Sequence, residues 1–102
     1  MTERREFPIV LSIHATDRLA QRGATLEEVS KTVRKGVWHP AKRGKLHTAK
    51  RYEFGELSPV NGRLYRYKTV DVVFVEEPER IFVVTVKVYY SNEGGPPDEG
   101  QL

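Results

Sequence analysis

The first third of the chain carries apolar residues at helical spacing between Ser12 and Gly36. Ser12 is a favourable N-cap, and Gly23 suits the left-handed turn that ends a helix near Arg22. The residues TLEE, which begin at Thr25, form a capping box at the start of a second amphipathic helix. We therefore predict two consecutive helices, packed as a helical hairpin.

The rest of the chain has the composition of β-strands. Residues 37–50 include Pro40 and Gly44, which predicts a loop that leads into a strand near residues 50–54. Asn61 and Gly62 form a strong signal for a tight turn. Residues 63–90 are dominated by Val, Ile, Thr, Tyr and Phe, with a break at residues 76–79. We predict one or two strands there, followed by a last strand over residues 80–90.

The last predicted strand has two unlike faces. Alternation places four apolar residues on the face that we expect to pack on the helices: Phe82, Val84, Val86 and Val88. The other face changes from apolar to polar along its length: Ile81, Val83, Thr85, Lys87 and Tyr89. Together the elements predict an α+β fold in which two N-terminal helices pack on one face of an antiparallel sheet of about four strands.

The length of 102 residues has room for one domain with one core. We assign that domain to residues 1–91 and predict that residues 92–102, an acidic segment rich in Gly and Pro, are disordered. The chain has no cysteine, and the apolar stretch near its start is too short for a signal peptide or a membrane span. These features predict a soluble, cytoplasmic protein.

Positive charge is concentrated in one segment of the chain. The net charge is +3, but residues 31–51 carry eight Lys or Arg residues and no acidic residue. Such a cluster is typical of a surface that binds a polyanion, most often nucleic acid, and it also occurs as a solvated basic loop. The residues that we expect to bind nucleic acid are Lys42, Arg43, Lys45, His47, Lys50 and Arg51.

His14, Arg18 and Arg22 are spaced four residues apart, so they form one narrow stripe along the first helix. Arginine is well suited to grip a phosphate, and a neutral imidazole can act as a general base. A polar helix face that serves only solubility is the alternative. Three histidines without a cysteine form no recognisable metal site, and no motif indicates a cofactor.

The sequence resembles a family of small bacterial domains known as domain of unknown function 4258. The resemblance covers roughly residues 10–90 and rests on these matches: His14-Ala15, Arg18, Arg22-Gly23, the box at Thr25, and Val84-Thr85-Val86. Such domains are similar to the barnase, EndoU, colicin and RelE-like ribonuclease toxins. In that group two N-terminal helices pack on a four-stranded antiparallel sheet.

The resemblance implies a metal-independent endoribonuclease. Such an enzyme cleaves RNA by attack of the 2′-hydroxyl group on the adjacent phosphodiester, which leaves a 2′,3′-cyclic phosphate. The resemblance also implies that the protein is a toxin, whose partner is a protein antitoxin or an immunity protein. Neither a metal nor a cofactor is expected.

The roles that the resemblance implies fall on the helical stripe and on the last strand. His14 becomes an acid–base catalyst, and Arg18 and Arg22 become phosphate ligands. Thr85 matches the family's threonine, but the tyrosine expected two residues later is Lys87. The candidate general acids are therefore Lys87, Tyr89 and the loop histidines, of which His47 is favoured over His39.

Two non-catalytic alternatives stay open. Residues 13–35 loosely fit a DNA-binding helix-turn-helix, although Glu27 and Glu28 would then face phosphates at the start of the reading helix. The replacement at Lys87 also fits an inactive toxin-like domain that only binds RNA.

Overall fold

The computed structural model describes residues 6–93, which form two helices and five strands. In chain order the elements are β1 (Ile9–Leu11), α1 (Ile13–Arg22), α2 (Leu26–Lys35), β2 (His39–Pro40), β3 (Leu46–Leu57), β4 (Leu64–Glu77) and β5 (Arg80–Ser91). A short 3₁₀ turn, Lys42–Gly44, connects β2 to β3. Residues 94–102, the larger part of the predicted acidic tail, lie outside the described residues.

Both helices begin at their predicted capping residues, and α1 ends at Gly23 as predicted. The Ser12 side chain accepts a hydrogen bond from the backbone N–H of Ala15, and Gly23 ends α1 with a φ of 82°. The capping box of α2 is complete, because the Thr25 and Glu28 side chains each accept a hydrogen bond from the other residue's backbone N–H. The local sequence thus determines the helix boundaries.

The α+β class is confirmed, but the sheet is mixed and has five strands in the order β1-β5-β4-β3-β2. Strand β1 pairs in parallel with β5 between Ile9–Leu11 and residues 81–83, while the other pairs are antiparallel. The prediction of about four antiparallel strands missed β1 and β2. These strands have three and two residues, so pairing with distant strands defines them and periodicity does not.

A β-bulge at Val84 corrects the predicted faces of the last strand. Residues Val73 and Phe74 on β4 pair with Thr85 and Val83, so Val84 is the extra residue. The bulge reverses the alternation: Ile81 and Val83 are buried before it, and Val86 and Val88 after it. Phe82 and Val84, which were expected to pack on the helices, are only half-buried.

Each helix packs on the sheet more than on the other helix, which differs from the predicted hairpin. Helix α1 contacts β5 and β1, while α2 contacts β4 and β3. Val29 and Val33 of α2 are fully buried against this face of the sheet, with Val70, Val72 and Phe74 of β4. Within the described chain, neither helix has the length and apolar character needed to cross a bilayer.

A buried charged side chain fixes the turn between the helices to the sheet. Lys68 on β4 is 5 % exposed, and its Nζ donates to the Gly23 carbonyl at 2.9 Å and to the Glu28 carboxylate at 2.9 Å. The Tyr90 hydroxyl donates to the Arg22 carbonyl at 2.6 Å. Because these contacts hold the last turn of α1, the direction of the helical stripe along β5 is fixed.

Candidate active site

Ser12 determines where α1 begins relative to β5. Its backbone N–H donates to the Val83 carbonyl at 2.9 Å, and its hydroxyl donates to the Val84 carbonyl at 2.8 Å. Since Tyr90 holds the other end of the helix, α1 runs alongside β5. His14, two residues after Ser12, therefore lies next to Thr85, with its Nε2 3.0 Å from the threonine Oγ1.

The second contact of His14 indicates which of its ring nitrogens carries the lone pair. Arg18 Nε lies 3.4 Å from His14 Nε2, and an arginine N–H can only donate. Nε2 must then accept, so this geometry assigns the ring hydrogen to Nδ1 and makes the Thr85 hydroxyl a second donor. Because Nε2 has a single lone pair, it can act as a general base once a substrate hydroxyl takes the place of one of these donors.

The two arginines of the stripe are held differently. Arg18 is half-buried, and its Nη1 donates to the side-chain carbonyl of Gln21 at 2.9 Å. Arg22 lies at the last turn of α1, close enough to Tyr89 for its charge to affect that phenol. The stripe therefore reaches from Thr85 at the start of α1 to Tyr89 at its end.

The sheet face opposite the buried core carries five of the twelve predicted site residues, and we call it the cleft face. The strand register places nine residues on it in three rows: His47, Val73 and Thr85; Ala49, Asp71 and Lys87; Arg51, Thr69 and Tyr89. The alternate positions on the same strands, such as Thr48, Val72 and Val86, are buried towards the helices.

A cleft of about 480 Å³ opens over the first two rows. Its lining includes Lys42, Lys45, His47, Asp71, Thr85 and Lys87. One acidic residue in this set faces three lysines, so the cleft is predominantly positive. This is the electrostatic arrangement that attracts a phosphodiester.

Asp71 is the site residue that sequence reasoning missed. It is 4 % exposed, and its Oδ1 lies 3.3 Å from Nδ1 of His47 on the neighbouring strand. In the strand register it lies directly opposite Lys87. A single acidic residue within the apolar run TVDVVF was a usable signal, because a carboxylate inside a buried strand requires partners.

The environment of Tyr89 keeps its phenol protonated. Partial burial raises the pKa of Tyr89 above its usual value of 10.0, the Asp71 carboxylate raises it further, and Arg22 partly offsets both effects. A protonated phenol can donate a hydrogen bond or a proton at neutral pH. Tyr89 therefore remains a candidate general acid, together with Lys87 and His47.

The six residues predicted to bind nucleic acid do not form one surface. Lys42, Lys45 and His47 line the cleft, whereas Arg43 is exposed on the 3₁₀ turn with a φ of 59°. Arg51 lies on the cleft face, where its guanidinium stacks 4.8 Å from the Tyr67 ring centre.

Lys50 belongs to the other side of the sheet from Arg51. It alternates with Arg51 along β3, and its Nζ lies 5.6 Å from the ring centre of Tyr52. The Tyr52 hydroxyl is hydrogen-bonded to Thr32 at 2.8 Å and donates to the Glu28 carbonyl at 3.1 Å. Tyr52 is therefore a packing residue.

His39 lies outside the cleft lining. Its ring is 5.8 Å from the ring of His47, its register partner on β3. The neighbouring Trp38 donates from its indole to the Val33 carbonyl at 2.8 Å and packs edge-on against Phe74. The Trp38 contact anchors the loop, and His47 is the loop histidine that reaches the cleft.

No protein-family model matches the chain, and no curated protein or solved structure is significantly similar to it. The resemblance to the family of ribonuclease-like domains therefore stays a prediction from the residues quoted above.

Proposed function

We propose that the protein is a metal-independent endoribonuclease with a RelE-like fold, and that it acts as a toxin in the cytoplasm. The observation that carries the proposal is the contact between His14 and Thr85, which joins the helical stripe to the polar end of β5. The two halves of the motif are distant in the sequence. Their meeting at a positive cleft supports a shared chemical role.

The chemistry requires three kinds of group, and the helical stripe of α1 and the cleft face together offer each of them. A base takes the proton of the 2′-hydroxyl, cations stabilise the pentavalent phosphorane, and an acid protonates the departing 5′-oxygen. His14 is the base in this proposal. Arg18, Arg22 and Lys87 supply positive charge around the phosphate, and Thr85 holds the His14 ring in position.

A helix-turn-helix function is less well supported by the packing of α2. Val29, Thr32 and Val33 of this helix are buried, and Glu28 in its first turn is paired with Lys68. The first turn is the part of a reading helix that enters the major groove. An RNA-binding domain without catalysis is the better alternative, because Lys87 stands where the family has a tyrosine.

The proposed toxin activity requires a partner that restrains it, and we propose a protein antitoxin or immunity protein. A partner that covers the cleft would block the lysines and His14 together. We expect such a protein to present carboxylates to Lys42, Lys45 and Lys87.

The test is cleavage of end-labelled RNA by the purified protein in excess EDTA, first with free RNA and then with translating ribosomes. We expect the wild type to cut, and His14→Ala and Arg18→Ala to lose roughly 10²-fold or more in rate. Arg63→Ala is the matched control, because Arg63 is exposed in the β3–β4 turn away from the cleft. RNA that is bound but stays intact in both settings would leave only the binding module.

A further inference from the structure

We propose that Asp71 is a positioning residue that orients His47 as the general acid for the 5′-oxygen leaving group. This inference rests on the proposed ribonuclease function. It identifies the residue that protonates the leaving group, a step that His14 does not perform. It concerns a pair of side chains on β3 and β4, on the other side of the cleft from α1.

The contact between the two side chains determines which ring nitrogen is available to a substrate. His47 Nδ1 lies 3.3 Å from Asp71 Oδ1, and the side chains are 21 % and 5 % exposed. An ionised carboxylate can only accept, so Nδ1 carries the hydrogen. His47 lines the cleft, and Nε2 is the ring nitrogen that remains for a ligand there.

The strand register gives the separation between the backbone of His47 and that of Thr85, the residue that contacts His14. His47 and Thr85 lie in the same row with Val73 between them, which separates their backbones by roughly two strand spacings, about 10 Å. His14 is held at Thr85. With hydrogen bonds of roughly 2.8 Å at both ends, a phosphodiester placed between two imidazoles spans a distance of this order.

The other two candidates for the acid fit different tasks. Lys87 is exposed in the middle row, one row away from His47 and Thr85, where its positive charge can meet the non-bridging oxygens of the phosphate. Tyr89 lies one row further, next to Arg22 and away from the lining of the cleft. His47 is the candidate that combines a place in the cleft with a carboxylate that fixes its ring.

The step balances with these two histidines. The 2′-hydroxyl takes the place of a donor at His14 Nε2 and gives its proton to that nitrogen, and the 2′-oxygen forms a bond to phosphorus. The bond between phosphorus and the 5′-oxygen breaks, and that oxygen takes the proton from Nε2 of a protonated His47. The products are a 2′,3′-cyclic phosphate and a 5′-hydroxyl, with His14 protonated and His47 neutral. Exchange with water then restores both rings.

The kinetic test uses a substrate whose leaving group needs no proton. The requirement for a general acid is then removed while the protein site stays the same. Cleavage of an ordinary RNA is compared with that of the same RNA carrying a bridging 5′-sulfur, which leaves as a thiolate without protonation. We expect His47→Ala to slow the ordinary RNA by roughly 10²- to 10⁴-fold and the sulfur substrate by less than about tenfold. Asp71→Asn should slow the ordinary RNA by between about tenfold and 10⁴-fold, with the same dependence on the leaving group.

Lys45→Ala is the matched control, since Lys45 lines the same cleft as a phosphate-binding cation. Its loss should be equal for the two substrates, because phosphate binding does not depend on the leaving group. Equal losses for His47→Ala would overturn the acid role and leave His47 as a phosphate ligand.

A second measurement does not depend on activity. Nitrogen-15 imidazole spectra at alkaline pH should show neutral His47 with its hydrogen on Nδ1, and Asp71→Asn should abolish this preference while thermal unfolding shows that the variant is folded. A wild-type His47 with its hydrogen on Nε2 would contradict the positioning role. If the wild type does not cleave RNA at all, the ribonuclease proposal fails, and the spectra still decide whether Asp71 orients His47.

Discussion

The Nε2 atom of His14 lies 3.0 Å from Oγ1 of Thr85, although 71 positions separate the two residues in the chain. Arg18 donates to the same nitrogen, so two donors converge on the lone pair that we assign to the general base. These donors hold the ring in position before a substrate arrives, and one of them gives way to the 2′-hydroxyl when it binds.

Replacing Thr85 tests how much of the activity depends on holding the imidazole. Thr85→Val keeps the shape of the side chain and removes the hydroxyl, which should cost about 1 kcal/mol of transition-state stabilisation, or roughly a fivefold to tenfold lower kcat/KM for RNA. Thr85→Ser keeps the donor and should retain most of the activity. Equal losses in the two variants would show that the hydroxyl does not matter.

Gly23, at the end of α1, should not tolerate replacement by a residue with a side chain without a loss of stability. A Cβ atom there would lie 2.7 Å from both Pro59 Cγ and the Tyr90 hydroxyl, and its φ of 82° disfavours other residues. We expect Gly23→Ala to lower the free energy of unfolding by about 2–3 kcal/mol in urea titrations. Gly44 has a φ of 73° and open space around it, so Gly44→Ala should cost about 1 kcal/mol from backbone strain alone. The difference between the two variants then measures the steric clash at Gly23.

The buried pair of Lys68 and Glu28 should be important for stability. Lys68→Met removes the positive charge that faces the Glu28 carboxylate. Because the Glu28 side chain is 20 % exposed, we expect the free energy of unfolding to fall by about 2–3 kcal/mol, less than for a fully buried pair. Lys35→Met, at an exposed position on α2, should change the free energy of unfolding by less than about 0.5 kcal/mol. Similar values for both variants would contradict this account.

Stability should fall as the pH rises above 10. Burial raises the pKa of Tyr52 above its usual 10.0, the hydrogen bond with Thr32 partly offsets this rise, and Glu28 adds to it. A pKa that is higher in the folded state stabilises the fold below the unfolded value, and the stabilisation is lost as the pH passes the folded value. Urea midpoints at increasing pH should therefore decline above pH 10, and Tyr52→Phe should decline less steeply.

The lysines of the cleft should determine the salt dependence of RNA binding. Lys42, Lys45 and Lys87 line the cleft, and each contact with a phosphate of a single strand adds about 0.7 to the slope of log K against log salt. Lys87→Ala should lower the slope by roughly that amount. Arg63→Ala, away from the cleft, should leave it unchanged in fluorescence titrations.

The helix boundaries and the helical stripe depend on neighbouring residues and could be predicted from the sequence. Ser12, Gly23 and Thr25 determine the helix boundaries by local hydrogen bonds and backbone preference, and the four-residue spacing of His14 and Arg18 places them on one side of α1. These features need no knowledge of distant strands, so the helical stripe was predictable.

The faces of β3 and β5 depend on pairing between strands and could not be predicted from the sequence. The bulge at Val84 changes which residues of β5 are buried, and it follows from the register with β4. The same dependence assigns Lys50 and Arg51 to opposite faces of β3. Asp71 was missed because its partner His47 lies 24 positions away in the chain, on another strand.

The most direct test of the central claim is the chemistry of the ends that the protein leaves on RNA in excess EDTA. We predict fragments with a 2′,3′-cyclic phosphate and a 5′-hydroxyl, formed by the wild type and by Arg63→Ala but not by His14→Ala. Fragments with a 5′-phosphate, or cyclic-phosphate fragments formed equally well by His14→Ala, would contradict a site built on the contact between His14 and Thr85.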